Sequence, residues 1–243
     1  MTKKYSDIYA DGTYLKNNPG WDAEDSLFKA GKILKLLKNH KLSIESVCEI
    51  GCGSGEILVQ LSSKLPSNIK FLGVDVSPDA INIAGKKATS QIQFELKDIT
   101  TEKTLRHFDL VLIMDVIEHV ENYFQFLRDI FPMSRYTIFH IPIDLSLWTL
   151  LREKMLIESK ERVGHIHNFT EDFVKSILTD CGYKIIDQIY TEPNFKPVTI
   201  KQKFIEFIRR ILFKINPRFC SKTIGGISIL ILTENNYQPG MHG

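Results

Sequence analysis

The sequence predicts an α/β fold, a mostly parallel sheet covered on both faces by helices. Three observations lead there. Seven short apolar runs alternate along the chain with stretches of helical periodicity. Runs such as FDLVLIM and ISILILTE are almost wholly apolar, as strands buried on both faces must be. At 243 residues, with 43% hydrophobic and 25% charged residues, the chain has the size and composition of a large soluble α/β domain.

The elements follow in order. After a polar, aromatic N-terminal segment, SLFKAGKILKLLKNH reads as an amphipathic helix. SVCEI is a strand and GEILVQLSSKL a helix. KFLGVDV is the second strand, followed by the helix SPDAINIAGKKA with Ser77 as N-cap and Pro78 in its first turn. IQFEL and FDLVLIM are the third and fourth strands, and VENYFQFLRDI the next helix. RYTIFHI is a strand ending at Pro142. TEDFVKSILTDCG is a helix capped by Thr170, with Gly182 just past its end. YKIIDQIY and ISILILTE complete the seven. In such a sheet the ligand sits at the carboxyl ends of the strands.

The first strand runs into VCEIGCGSGEIL, where Gly51, Gly53 and Gly55 occupy alternate positions at a strand-to-helix turn. Such a turn lets backbone N–H groups face a ligand, and the missing Cβ lets the ligand come close. A dinucleotide turn needs a glycine at position 56, where this chain has Glu56, and no G-K-[ST] follows as a phosphate loop needs. The pattern is E-x-G-x-G-x-G, opened by Glu49. Two further acids stand at strand ends. Asp75 closes KFLGVD, suited to a ribose diol, and Asp98 follows the third strand in FELKD, suited to an adenine amino group.

On these residues the chain resembles the class I S-adenosylmethionine-dependent methyltransferases. CEIGCGSGEI is similar to their first motif, LGVDVSPDAINIA to their second, and MDVIEHV to the segment after their fourth strand. The resemblance covers roughly residues 45–190. It implies a Rossmann-like three-layer sandwich with strand order 3-2-1-4-5-7-6, the last strand antiparallel. It also implies S-adenosyl-L-methionine as cofactor. The cofactor's methionine part would lie at Glu49, Gly51, Cys52 and Gly53, its ribose at Asp75, its adenine near Val76, Asp98 and Ile99, and its sulfonium beside the backbone after Met114.

Methyl transfer from a sulfonium needs alignment, and a base if the acceptor is a hydroxyl. His119, His140, His165 and His167 are the candidates, each also readable as an ordinary hydrogen-bonded histidine. GHIHNFT precedes the helix after the fifth strand, which puts its loop at the carboxyl-end face. His165 and His119 are taken as the catalytic pair. Asp115, Glu118 and His119 stand at i, i+3 and i+4, which on a helix would bring three ligand atoms to one face. Ubiquinone-biosynthesis O-methyltransferases carry an E-x-x-E-H version and use a divalent ion, whereas many related enzymes carry the E-H pair without metal. The expectation is no metal.

The fourth strand is followed by MDVI, not by [DNS]-P-P-[YF], and no Pro-Cys nucleophile is present, which argues against nucleic-acid bases as acceptors. The expected acceptor is the hydroxyl of a small molecule: a sugar, a lipid-linked sugar or a quinone-like compound. RNA methylation and non-catalytic cofactor binding stand as alternatives. The layout is also loosely similar to methyltransferases of cell-surface polysaccharide pathways.

The whole chain, 1–243, reads as one domain with three additions: a helical cap over 1–43, a lid over 143–164 and a basic helical segment over 193–223. In the cap, Tyr5, Tyr9, Tyr14 and Trp21 precede a helix whose Lys29 is placed to meet the cofactor carboxylate. In the lid, Trp148, Leu151 and Met155 of one amphipathic helix would roof the site. The basic segment explains an uneven charge. The chain carries net +2, but residues 196–222 carry +7 and the remainder −5. Phe204, Phe207, Ile208, Ile211, Leu212 and Ile215 form its apolar stripe. The expected arrangement packs that stripe on the domain and leaves the basic face in solvent; the alternative is peripheral contact of 201–215 with an anionic membrane, or contact with an anionic, phosphate-bearing substrate. Four cysteines without a C-x-x-C pair suit reduced thiols. The expected location is cytoplasmic, with the inner membrane face as the site of any such contact.

Overall fold

The computed structural model describes residues 23–101, 106–192 and 199–235. The expected aromatic cover at Tyr5–Trp21 lies outside these residues. Seven strands form one sheet: β1 (Ser46–Ile50), β2 (Lys70–Asp75), β3 (Ile92–Leu96), β4 (Phe108–Met114), β5 (Ser134–Pro142), β6 (Lys184–Thr191) and β7 (Ser228–Glu234). Their order is β3-β2-β1-β4-β5-β7-β6. β1 pairs in parallel with β2 and β4, β2 with β3, and β4 with β5, while β7 runs antiparallel to β5 and β6. Fold class, order and the reversed last strand are as the sequence predicts.

Period-2 side-chain alternation builds a core on each face. Val47 of β1 and Leu110, Leu112 and Met114 of β4 pack with Ile33 and Leu36 of α1 (Ala23–Asn39) and Leu58 and Leu61 of α2 (Glu56–Ser62). Cys48, Val111 and Ile113 point the other way, into Phe126 and Leu127 of α4 (Tyr123–Ile130) and Val174 and Ile177 of α7 (Glu171–Asp180). Between them in the chain, α3 (Pro78–Gly85) starts as its sequence signals require, with the Ser77 side chain accepting from the Ala80 N–H and Pro at the first turn. Thr170 caps α7 in the same way, and Gly182 follows with φ 94°.

Two segments depart from expectation. The lid is two helices, α5 (Leu147–Leu150) and α6 (Lys154–Val163). Ser146 and Thr149 close a capping box on α5, and the Arg152 guanidinium stacks 3.5 Å from the Trp148 ring centroid at the break. The basic segment is α8 (Ile200–Ile215) followed by α9 (Pro217–Thr223). Much of its apolar stripe faces outward, with Phe204 63% exposed, Phe207 61% and Ile215 75%, while Leu212 packs against the core beside Phe213. The inward face also holds a polar anchor. Glu206, 5% exposed, binds Arg209 and Arg210, and Arg209 Nε donates to the Gly225 carbonyl at 2.9 Å. Lys201, Lys203, Arg210 and Lys214 are exposed as expected; the departures are the outward-facing part of the stripe and Arg209, which turns inward.

Candidate active site

The strand order reverses between β1 and β4, and the carboxyl ends there open onto one cavity of about 1010 Å³. Its floor is the turn from β1 to α2. Gly51, Gly53 and Gly55 have φ of 72°, 52° and 74°, a left-handed region costly for any side chain. A Cβ on Gly55 would sit 2.4 Å from the Phe94 ring, and one on Gly51 2.7 Å from Val116.

Four of the turn's amides are bonded within the protein rather than turned to a ligand, a departure from the sequence reading. Gly51 and Cys52 N–H donate to the Val74 carbonyl at 2.8 and 3.1 Å, Gly53 N–H to Asp75 Oδ2 at 2.8 Å, and Gly55 N–H to the Cys52 carbonyl at 2.9 Å. The glycines here provide space and lock the turn to β2.

Every residue singled out for the cofactor lines this cavity: Glu49, Gly51, Cys52, Gly53, Asp75, Val76, Asp98, Ile99 and Met114. Glu49 at the end of β1 is 1% exposed, and its Oε2 meets no hydrogen-bond partner among the described residues. Burial pushes its carboxyl up to about 8, Asp75 adding to the rise and Lys29 opposing it. Asp75 accepts from Gly53 and Ser77 N–H, so it clamps the glycine turn as well as facing the cavity. Burial raises its pKa against the pull of those hydrogen bonds. Val76 is 49% exposed, an open apolar surface at the cavity edge.

The end of β4 differs from the expected helix. Asp115 has φ 55°, and only a single 3₁₀ turn, Ile117–His119, follows. Asp115, Glu118 and His119 therefore do not share a helical face. Asp115 is held by Lys29 Nζ at 2.6 Å and His140 Nδ1 at 2.6 Å, and His140 Nε2 lies 2.9 Å from Thr191 Oγ1. Burial would raise the Asp115 carboxyl, but His140 and Lys29 outweigh it and hold it below the usual range. This ties α1, β4, β5 and β6 together beneath the cavity and occupies His140 structurally. His167 is likewise engaged, its Nε2 3.0 Å from the Val120 carbonyl.

His119 and His165 do come together, ring centroids 5.0 Å apart and edge to face. His119 Nδ1 lies 3.0 Å from the Gly164 carbonyl, which fixes the N–H on Nδ1 and leaves Nε2 as an acceptor. Burial, with His165 nearby, lowers His119 to about 4, so it is neutral near pH 7. His165 Nδ1 is 3.3 Å from Asp144 Oδ2, near enough for an ion pair but without hydrogen-bond geometry. Asp144 was missed by sequence reasoning, although it stands two residues past the end of β5, where the strand-end rule points. Glu118, 1% exposed, has neither carboxylate oxygen hydrogen-bonded among the described residues, and burial with Asp115 raises its pKa. Glu118, His119 and His165 each offer one ligand atom, all within 4.8 Å of one another. Of the lid, Trp148 and Met155 line the cavity, while Leu151 is 73% exposed and does not. Arg162 and Arg209 complete the wall.

A methyltransferase-domain family model matches residues 41–194, well over half of the chain. The chain belongs to this family. S-Adenosyl-L-methionine is the cofactor on which the family and the cradle agree. Among curated proteins, (S)-coclaurine N-methyltransferase of Thalictrum flavum subsp. glaucum is 31% identical over 88 residues, 35% of this chain and 24% of that enzyme's length. Among solved structures, the N-methyltransferase NodS of Bradyrhizobium japonicum WM9, in complex with S-adenosyl-L-homocysteine, superposes with TM-score 0.62 at 16% identity over 97% of this chain and all of that one. A Haloferax volcanii chain solved with the Trm112 methyltransferase activator gives 0.66 at 14% identity, over 97% of this chain and 99% of that one. At such identities these two likenesses establish the fold.

Proposed function

We propose that the protein transfers the methyl group of S-adenosyl-L-methionine to a hydroxyl of a small molecule, such as a sugar, a lipid-linked sugar or a quinone-like acceptor. The observation behind this reading is the His119–His165 pair, backed by Asp144, in the same cavity as the cofactor residues. When bound, the cofactor would supply an already activated methyl group. Glu49 would hold its ammonium, Asp75 its ribose, and Val76, Asp98 and Ile99 its adenine, with the chain after Met114 beside the sulfonium. His165 would take the proton of the acceptor hydroxyl. Asp144 stabilises the imidazolium so formed, as a carboxylate does behind a histidine base. His119, neutral, helps to position the acceptor. Incubation with labelled cofactor and a panel of hydroxyl and amine acceptors tests this. Label in a hydroxyl supports it. Label only in amines, the acceptor class named for the coclaurine and NodS enzymes, overturns the hydroxyl assignment, and label in RNA or in nothing overturns the class.

A second reading rests on Glu118. Its two orphaned oxygens, with His119 and His165, make a donor set suited to a divalent ion that would bind the acceptor oxygen directly. EDTA separates the two: turnover persists under the base mechanism and stops under the metal one.

Two expected outcomes concern the cofactor. Asp75→Ala weakens S-adenosylhomocysteine binding by about 1–3 kcal/mol in calorimetry. Gly53 and Ser77 N–H donate to different oxygens of Asp75, so Asp75→Asn keeps an acceptor for only one of them, and urea unfolding of both variants separates lost ribose contact from a loosened turn. Unchanged affinity in both variants removes Asp75 from the ribose role. The second outcome follows from Glu49. Its pKa of about 8 leaves it mostly protonated at neutral pH, yet it must be ionised to hold an ammonium. Cofactor affinity therefore rises with pH between about 6 and about 8, by up to about tenfold per unit. Glu49→Gln flattens that slope. A flat profile in the unaltered protein contradicts the assignment.

A further inference from the structure

We propose that the outer face of α8 docks on an anionic phospholipid surface. At 100° per residue, Ile200, Phe204, Phe207, Ile211 and Ile215 fall within an arc of about 80°. They are 86%, 63%, 61%, 43% and 75% exposed. Such a contiguous apolar stripe in contact with water marks an interaction face. Exposed cations border it: Lys203, Arg210 and Lys214 on one side, Lys201 on the other. The helix's single acid, Glu206, is buried on the opposite side against Arg209 and Arg210. The outward face therefore combines apolar side chains with cations and no carboxylate. That is the pattern of a helix lying in the headgroup plane.

Charge decides between occupants. A second copy would bring the same cations against these, while anionic headgroups complement them. Attachment is lateral, since no described helix is long and apolar enough to cross a bilayer. The inward side of the same helix contributes Arg209 to the cavity wall. Docking thus brings the active-site cavity to within about one helix diameter, ~10 Å, of the lipid surface. The proposal stands apart from the methyl-transfer reading: calorimetry tests that reading without lipid, and flotation tests this one without turnover.

The experiment is vesicle flotation of the full chain. The protein is expected to float with phosphatidylglycerol–phosphatidylcholine vesicles, not with phosphatidylcholine alone, and to be released by high salt. Lys201→Glu, Lys203→Glu and Lys214→Glu combined, which leave the Glu206 anchor intact, should lower the bound fraction more than about tenfold. Phe204→Ser with Phe207→Ser should lower it while leaving S-adenosylhomocysteine affinity unchanged, which shows the fold intact. Arg209 is left alone because it anchors the helix. No flotation of the unaltered protein, or equal flotation with neutral vesicles, overturns the proposal. So does a concentration-dependent dimer that Phe204→Ser abolishes, because the face is then an interface between copies.

Discussion

His165→Ala is expected to lower turnover by about 10²–10⁴-fold while leaving S-adenosylhomocysteine affinity unchanged. The imidazole stands beside His119 at 5.0 Å between ring centroids and beside Asp144 at 3.3 Å. No hydrogen bond joins it to the cofactor residues among the described residues, so its loss removes proton transfer and leaves them in place. Asp144→Asn should give a smaller loss of the same kind, because it removes the charge behind the imidazolium. His167→Ala provides the comparison. Its Nε2 meets the Val120 carbonyl, so its loss acts on loop order and stability before chemistry. Equal kcat for His165→Ala and the unaltered enzyme, measured on an accepted hydroxyl substrate, removes the base. If His165→Ala loses turnover and EDTA abolishes it in the unaltered enzyme, His165 is a metal ligand instead of the base.

The second large effect is structural. Gly55→Ala is expected to destabilise the fold by about 2–5 kcal/mol and to cost cofactor affinity. Residence at φ 74° costs a side chain about 1–2 kcal/mol. The new methyl meets Phe94 at 2.4 Å and Ala84 at 3.1 Å, and overpacking of this kind costs about 1–3 kcal/mol. Relief requires the half-buried Phe94 ring to swing aside or the turn to move, and Ala84 remains close in either case. Gly31→Ala is the contrast. It lies within α1 with nothing within 4 Å of its added Cβ, and should stabilise by about 0.5–1 kcal/mol. Urea unfolding of the two variants checks both signs, and equal midpoints contradict the steric account.

The central architecture was legible because parallel strands buried on both faces are written as apolar runs, and because glycine and acid positions at strand ends are set by backbone geometry. Gly51, Glu49, Asp75 and Asp98 could thus be placed from spacing alone, and all line the cavity. Two kinds of information were not in the spacing. Periodicity shows that a helix has an apolar face but not which way that face points. The direction of α8 is set by Glu206 and Arg209 reaching a carbonyl at Gly225, a contact between elements. Spacing also assumes regular structure: Asp115 leaves helical geometry at φ 55°, so its i, i+3, i+4 relation to Glu118 and His119 carries no shared face. The partner that replaces it near His119 and Glu118 is His165, 46 residues after His119 in the sequence and brought there by the loop after α6.

Calorimetric titration of the purified chain with S-adenosylhomocysteine, and separately with NADH, tests the cofactor site most directly. The account predicts one S-adenosylhomocysteine molecule bound per chain, weakened in Asp75→Ala and pH-dependent through Glu49, with no heat from NADH. Binding of NADH, or no binding of S-adenosylhomocysteine by a folded chain, would contradict it.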